Sequence, residues 1–190
     1  MWDCGMVFGP FNGATVWGVT AAERATAYPC DEFAPNAADA WFRAVTVHAP
    51  RPVVFRWLCQ LKVAPYSYDL LDNRGRRSPR TLTPGAERLT TGECFMSIFE
   101  LVDFEPDQQI TLRIVEPAAL AWFGPLTGTY AVRELDATRT RLVVKLNVGG
   151  PGENLLHRVR RGALAWGDLI MMHRQLTTLR QLSETTTAQL

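Results

Sequence analysis

A long helical pattern closes the chain and follows directly on a series of short strand-like segments. No proline interrupts residues 153–183. Side chains recur there at three- and four-residue steps, and this spacing predicts that they share one helical face. The members of that face are Leu155, Val159, Ala163, Trp166, Ile170 and His173. We expect the face to lie against a sheet.

Alternation of apolar and polar residues predicts the strands of that sheet. Ile110, Leu112 and Ile114 share one face of a segment, and Thr111 and Arg113 share the other. A period of two with one apolar face is typical of a half-buried antiparallel sheet. The predicted strands are 94–104, 108–116, 127–135 and 140–148, with a short edge strand within 87–92.

The first half of the chain adds one strand and short helices. Residues 41–48 read as a strand because of their β-branched apolar positions. Pro50 and Pro52 then begin a helix, and Pro65 ends it. The pattern of residues 66–71 predicts a second short helix or a turn. Upstream, Thr20 and Glu23 form the pattern of a capping box for a helix over 20–27.

The order of these elements predicts an α+β fold. A curved antiparallel sheet wraps around the long C-terminal helix, and two short helices follow the first strand. Such a sheet and one helix fill their interior less completely than two flat layers do. We therefore expect an internal cavity of a few hundred Å3, a volume typical of small-molecule sites.

Composition limits the class of protein and its surroundings. The length of 190 residues fits one domain, which we divide into an N-terminal extension (1–40), the main domain (41–184) and a tail (185–190). The net charge of +1 gives no reason to expect a nucleic-acid partner. No apolar run reaches the roughly 20 residues of a membrane span, so we expect no membrane insertion. Four cysteines without CxxC spacing favour a reduced, cytoplasmic protein.

Several local motifs resemble those of a known superfamily. They are WGVTAAERATAYPCDE, VTVHAPRPVVFRWLCQL, YSYDLLDN, TRLVVKLNV and GDLIMMHRQLTTLRQL. Together they resemble the START-like (SRPBCC) superfamily, which has the helix-grip fold, and within it a bacterial polyketide-cyclase-like subgroup. The superfamily includes polyketide cyclases and lipid carriers. The resemblance implies the fold and a cavity for a hydrophobic ligand, and no shared set of catalytic residues.

Aromatic and polar-tipped side chains are the candidate lining of the cavity, because small-molecule pockets are mostly apolar with a few placed polar groups. The alternative for each is ordinary core packing. The predicted ligand-binding residues are Tyr66, Tyr68, Phe95, Phe99, Trp122, Tyr130, Trp166, Ile170 and His173.

His173 is the one candidate for acid–base chemistry, because a histidine exchanges protons near neutral pH. No nucleophile motif accompanies it, and the three histidines are too scattered in sequence to predict a zinc site. We therefore predict neither a metal nor a cofactor. An arginine cluster over 74–80 is either a solvated loop or a clamp for an anionic group at the pocket mouth.

Three functions remain open. A binder of a hydrophobic small molecule needs only shape and apolar walls. An aromatase/cyclase-like enzyme also needs a polar group about 3 Å from the reacting atom. An interaction module would have a filled core.

Overall fold

The computed structural model describes residues 12–73, 75–151 and 155–189. Its strands are β1 (Val16–Trp17), β2 (Asp39–Val47), β3 (Cys94–Phe95), β4 (Phe99–Glu105), β5 (Gln109–Ile114), β6 (Leu126–Asp136) and β7 (Arg139–Val148). Its helices are α1 (Asn12–Thr15), α2 (Ala21–Ala25), α3 (Cys30–Phe33), α4 (Arg51–Cys59), α5 (Asp69–Asp72), α6 (Pro117–Phe123) and α7 (Leu155–Thr187), with a 3-10 turn over Gln60–Lys62.

A few of the sequence predictions fall outside this part of the chain. They concern residues 1–11 of the N-terminal extension, Cys4 among them, Arg74 of the arginine cluster, residues 153–154 at the start of the predicted long helix, and Leu190 of the tail. The division at residues 40 and 184 stays a prediction. Helix α7 continues to Thr187, and the Trp57 indole donates a hydrogen bond to the Thr186 hydroxyl at 2.9 Å.

The seven strands form one open sheet in the order β1-β2-β7-β6-β5-β4-β3. β1 pairs with β2 in parallel, and the other neighbouring pairs are antiparallel. The inner face of the sheet packs with α4 and α7 around the main hydrophobic core. This confirms the α+β helix-grip architecture, with the sheet curved around the long C-terminal helix.

The predicted strand over 94–104 is a hairpin. Met96 and Ser97 have φ of 48° and 66°, so the chain reverses and Phe95 pairs with Phe99. The apolar alternation continues through the turn, and for this reason the sequence pattern predicted one strand. The prediction of a short edge strand within 87–92 is also wrong, because no residue of that segment is in a strand. The strand at this edge of the sheet is β3.

Helix α7 buries a different face from the predicted one. Val159 is exposed, and the side chains of Trp166 and Ile170 are 51% and 56% exposed. The buried apolar side chains are Ala165, Met172, Leu176, Leu179 and Leu182. The two faces differ by about one residue, a rotation of about 100°. The true face also carries polar residues, which an apolar pattern cannot detect.

Part of the N-terminal segment covers the outer face of the sheet, whereas Ala14 and Trp17 pack with the main core on the inner side. Tyr28 and Cys30 pack on the outer face with Phe42, Ala44, Ala131 and Val143. The predicted capping box is present at the start of α2, with the Glu23 amide donating to the Thr20 hydroxyl and the Thr20 amide donating to the Glu23 carboxylate. Arg141 Nε donates to Glu23 Oε1 at 2.7 Å, which ties α2 to β7.

We expect Glu23→Gln to destabilise the fold by about 1–3 kcal/mol at pH 7. The hydrogen bond from Arg141 lowers the pKa of Glu23 from 4.5 to about 2. A lowered folded-state pKa contributes stability above the unfolded value, and that stability is lost as the pH falls towards 2. Glutamine keeps the capping geometry, so urea unfolding should show a difference from wild type that narrows between pH 5 and pH 2. A difference independent of pH would contradict the ion-pair account.

Candidate functional site: a half-open cavity between the sheet and helix α7

A cavity of about 150 Å3 lies between the inner face of β4–β7 and the middle of α7. It is smaller than the few hundred Å3 that the sequence predicted. Its lining residues are Pro65, Ser67, Met96, Ile98, Phe99, Leu112, Leu126, Gly128, Tyr130, Leu146, Asp168, Met171, Met172 and Gln175. The cavity occupies one part of the inner face of the sheet. The residues of α4 pack in the main core and do not line the cavity.

Gly128 allows close packing of the Leu146 side chain at the cavity wall. It lies within β6 and lines the cavity. A Cβ built at this position would lie 2.5 Å from Leu146 Cδ2, so a larger residue would push the Leu146 side chain. A glycine inside a strand weakens the strand, and here it leaves the room that the Leu146 side chain occupies at the cavity wall.

Three methionines give the cavity an adaptable wall. Met96 comes from the turn between β3 and β4, and Met171 and Met172 come from α7. Methionine is unbranched and polarizable, so it adjusts to ligands of different outline and makes favourable contacts with aromatic rings. The β3–β4 turn, which the sequence pattern missed, places Met96 and Ile98 at the site.

A buried ion pair adjoins the cavity at α7. The Arg43 side chain on β2 is 0% exposed, and its Nη2 lies 2.9 Å from Asp168 Oδ2. The Asp168 side chain is 21% exposed. The same guanidinium donates to the Ala14 carbonyl at 2.6 Å and the Phe42 carbonyl at 3.0 Å. Backbone carbonyls and one carboxylate thus accept hydrogen bonds from both terminal nitrogens of the buried cation, whereas its Nε has no partner among the described residues.

Among the described lining residues, Asp168 alone carries a formal charge. Burial raises its pKa from 3.8 to about 6, although the charge and hydrogen bond of Arg43 act in the opposite direction. The carboxyl therefore changes charge near neutral pH, in a position facing an apolar space. A group with a pKa in this range is suited to donate or accept a proton.

Tyr130 and Gln175 form a fixed polar chain across the site. Tyr130 Oη donates to Gln175 Oε1 at 2.8 Å, and Gln175 Nε2 donates to the Pro65 carbonyl at 2.7 Å. Because a carbonyl can only accept, the amide nitrogen must face Pro65, and this fixes the orientation of the glutamine. Burial raises the pKa of Tyr130, so the phenol stays protonated.

The structure brings only two of the predicted ligand-binding residues to the cavity, Phe99 and Tyr130. Tyr66 and Phe95 are buried in the main core without lining it. Tyr68 is exposed, and so is Trp122, on α6. That helix was not predicted, because its seven residues (PAALAWF) lie among turn signals.

Trp166, Ile170 and His173 lie on the exposed side of α7. The His173 ring contacts Trp17, with ring centroids 4.6 Å apart, and it does not line the cavity. The rotation of the helix moves these three residues away from the sheet and brings Asp168 and Gln175 towards it. The described arginines of the 74–80 cluster, Arg76, Arg77 and Arg80, are exposed and also lie outside the cavity.

Sequence reasoning missed Arg43, Asp168 and Gln175. One signal was available for Arg43, because an arginine two residues after Trp41 and two before Val45 falls on the inward face of β2. A buried cation requires an acceptor, so an inward-facing arginine predicts a carboxylate partner, and Asp168 is one candidate. Nothing comparable marked Gln175.

Within the described ranges, no group of three or more His, Cys, Asp or Glu side chains is placed to hold a metal ion. No helix in the same part of the chain is both long and apolar enough to cross a membrane.

Known proteins resemble this chain in structure. No protein-family model matches it, and a search of curated proteins finds no match. A protein from Thermobifida fusca, solved by NMR, superposes with a TM-score of 0.54 at 12% identity, over 77% of this chain and 93% of that one. The di-domain ARO/CYC StfQ from the steffimycin biosynthetic pathway superposes with a TM-score of 0.51 at 11% identity, over 83% of this chain and 54% of that one.

A third structure, the Zhui aromatase/cyclase from Streptomyces sp. R1128, has 19% identity and a TM-score of 0.49, over 77% of this chain and 93% of that one. The architecture and the two likenesses with a TM-score above 0.5 define the class of fold. The chain has the helix-grip fold, and these two solved structures share that fold with it.

Proposed function

We propose that the protein binds a small hydrophobic molecule, with a part about the size of one aromatic ring, in the cavity between the sheet and α7. The observation that carries the proposal is a half-open cavity whose wall is apolar apart from Ser67, Tyr130, Asp168 and Gln175. Sites for small molecules have this character. An interaction module with a filled core would have no use for this space.

The volume sets the size of the ligand. An apolar cavity of about 150 Å3 in a protein core accommodates benzene. The cavity here is about as large, so one ring fits without displacing side chains, and methionine rotation could admit a second. A full-length polyketide chain or a long acyl chain would need a larger cavity.

We expect calorimetric titration with benzene, toluene, naphthalene and anthracene to show a size limit. Toluene should bind one molecule per chain with a Kd on the order of 0.1–1 mM, within the limit for seven heavy atoms. Anthracene should show no saturable binding. His173→Phe should leave these affinities unchanged, because His173 lies outside the cavity. Equal binding of all four compounds would indicate a nonspecific surface and overturn the proposal.

An aromatase/cyclase-like enzyme is the second candidate, and Asp168 is the observation that favours it. A carboxyl with a pKa of about 6 beside an apolar space could abstract the acidic proton of a 1,3-diketone. We expect such an enzyme to accelerate hydrogen–deuterium exchange at the central carbon of benzoylacetone, followed by NMR. Asp168→Asn would then lower the rate by about 10²–10⁴-fold while binding survives. Exchange at the uncatalysed rate would remove this candidate.

A further inference from the structure

The hydrogen-bond donors on the described side chains that line the cavity are all engaged within the protein. Tyr130 Oη donates to Gln175 Oε1. Gln175 Nε2 has two hydrogens, and its contacts are the Pro65 carbonyl at 2.7 Å and Met96 Sδ at 3.3 Å. Ser67 Oγ donates to the Met171 carbonyl at 3.1 Å. None of these donors is left for a ligand.

Acceptor capacity remains, and it is greatest at Asp168. Arg43 occupies Asp168 Oδ2, and Oδ1 has no hydrogen-bond partner among the described residues. The side chain keeps 21% of its surface, and the residue lines the cavity. A carboxylate oxygen next to an apolar space is strongly stabilised by a donor, because hydrogen bonds to charged groups are stronger than neutral ones.

The charge at this point favours a neutral donor over a cation. Asp168 already has Arg43 as its counter-ion at 2.9 Å, so the pair is close to neutral as a unit. A cationic ligand would place a second positive charge near the buried guanidinium without a second anion. A hydroxyl supplies the hydrogen bond and adds no charge.

We infer that the cavity selects a neutral aromatic ring bearing a hydroxyl donor, which Asp168 Oδ1 recognises, over a ring of similar size that has no donor or only an acceptor. The inference rests on the proposed function and names the ligand class for the same site. A carbonyl oxygen can only accept hydrogen bonds, and the polar side chains of the wall have no free donor to offer. Binding of a carbonyl-rich ligand is therefore disfavoured.

Three compounds of similar size separate these cases. Phenol carries a donor, toluene has neither donor nor acceptor, and benzonitrile has only an acceptor. We expect phenol to bind at least as tightly as toluene, and benzonitrile at least about tenfold more weakly than phenol, because a buried polar group without a partner carries a penalty of this order. Phenol binding about tenfold more weakly than toluene would overturn the inference and leave the proposed function intact. Failure of all three compounds to bind would overturn the proposed function itself.

Asp168→Asn gives a sharper test because it should invert the order. Arg43 can only donate, so the asparagine oxygen takes the place of Oδ2 and the Nδ2 hydrogens turn to the cavity. Benzonitrile should then bind more tightly than phenol. Glu23→Gln is the matched control, since it removes a carboxylate paired with Arg141 on the outer face and should leave the order unchanged. An unchanged order of the phenol and benzonitrile affinities in a folded Asp168→Asn protein would overturn the inference. If this variant does not fold, the affinities of the wild-type protein for the three compounds decide alone.

Discussion

Asp168→Leu should destabilise the protein by about 3–5 kcal/mol at pH 7, and Arg43→Met should cost less. The difference follows from what each partner can do when left alone. The Arg43 guanidinium is 0% exposed and stays protonated under all practical conditions. Asp168 can take up a proton, because burial has already raised its pKa to about 6.

The stability difference between wild type and Arg43→Met should depend on pH, in a direction that the pKa of Asp168 sets. Loss of the arginine raises the folded-state pKa of Asp168 further above its unfolded value of 3.8. A raised pKa contributes stability that is complete below the unfolded value and is lost as the pH rises through the folded one. The gap between wild type and Arg43→Met should therefore narrow from pH 8 to pH 5 in urea unfolding.

The double variant Arg43→Met/Asp168→Leu completes the cycle. Replacing both ions by apolar residues should recover most of the stability that Asp168→Leu loses, because no charge is left buried. The account would be contradicted if Arg43→Met cost as much as Asp168→Leu, or if its cost were the same at each pH.

Gly128→Val should weaken binding of toluene by more than about tenfold. The new side chain pushes Leu146, since even a Cβ at this position lies 2.5 Å from Leu146 Cδ2, and the displaced atoms take up ligand space. Overpacking should also cost about 1–3 kcal/mol in the free energy of unfolding.

Ala131→Val is the matched control for this substitution. Ala131 lies on the same strand but packs in the cluster on the outer face of the sheet. It should show a similar loss of stability and unchanged binding, as measured by calorimetry. Equal loss of affinity in both variants would mean that binding follows general stability and not the cavity.

The sheet was predictable because apolar side chains alternate with mostly polar ones along its strands, even though outward-facing residues such as Thr111 and Val143 are also buried. The alternation in β5 and β7 gave nearly the observed bounds, and the capping box gave the start of α2. The hairpin at Met96 and Ser97 was not predictable, since its residues continue the alternation while their positive φ values reverse the chain.

The site was less predictable than the fold, for a physical reason. The buried face of α7 includes Asp168 and Gln175, and each is tolerated there only because a distant partner satisfies it: Arg43 on β2 and the carbonyl of Pro65. Such pairings depend on tertiary contacts that no local pattern reports. Trp166 and Ile170 carried the apolar signal instead, and they lie on the exposed face.

The central claim is that a ring-sized ligand occupies this cavity, and methyl NMR tests it most directly. Met96, Met171 and Met172 line the space from the β3–β4 turn and from α7. With ¹³C-methyl methionine, assigned by single Met→Leu substitutions, saturating toluene should shift all three methyl signals by ring currents, with one common Kd, and Gly128→Val should abolish the shifts. Three signals that stay in place while toluene binds elsewhere, or does not bind, would contradict the account.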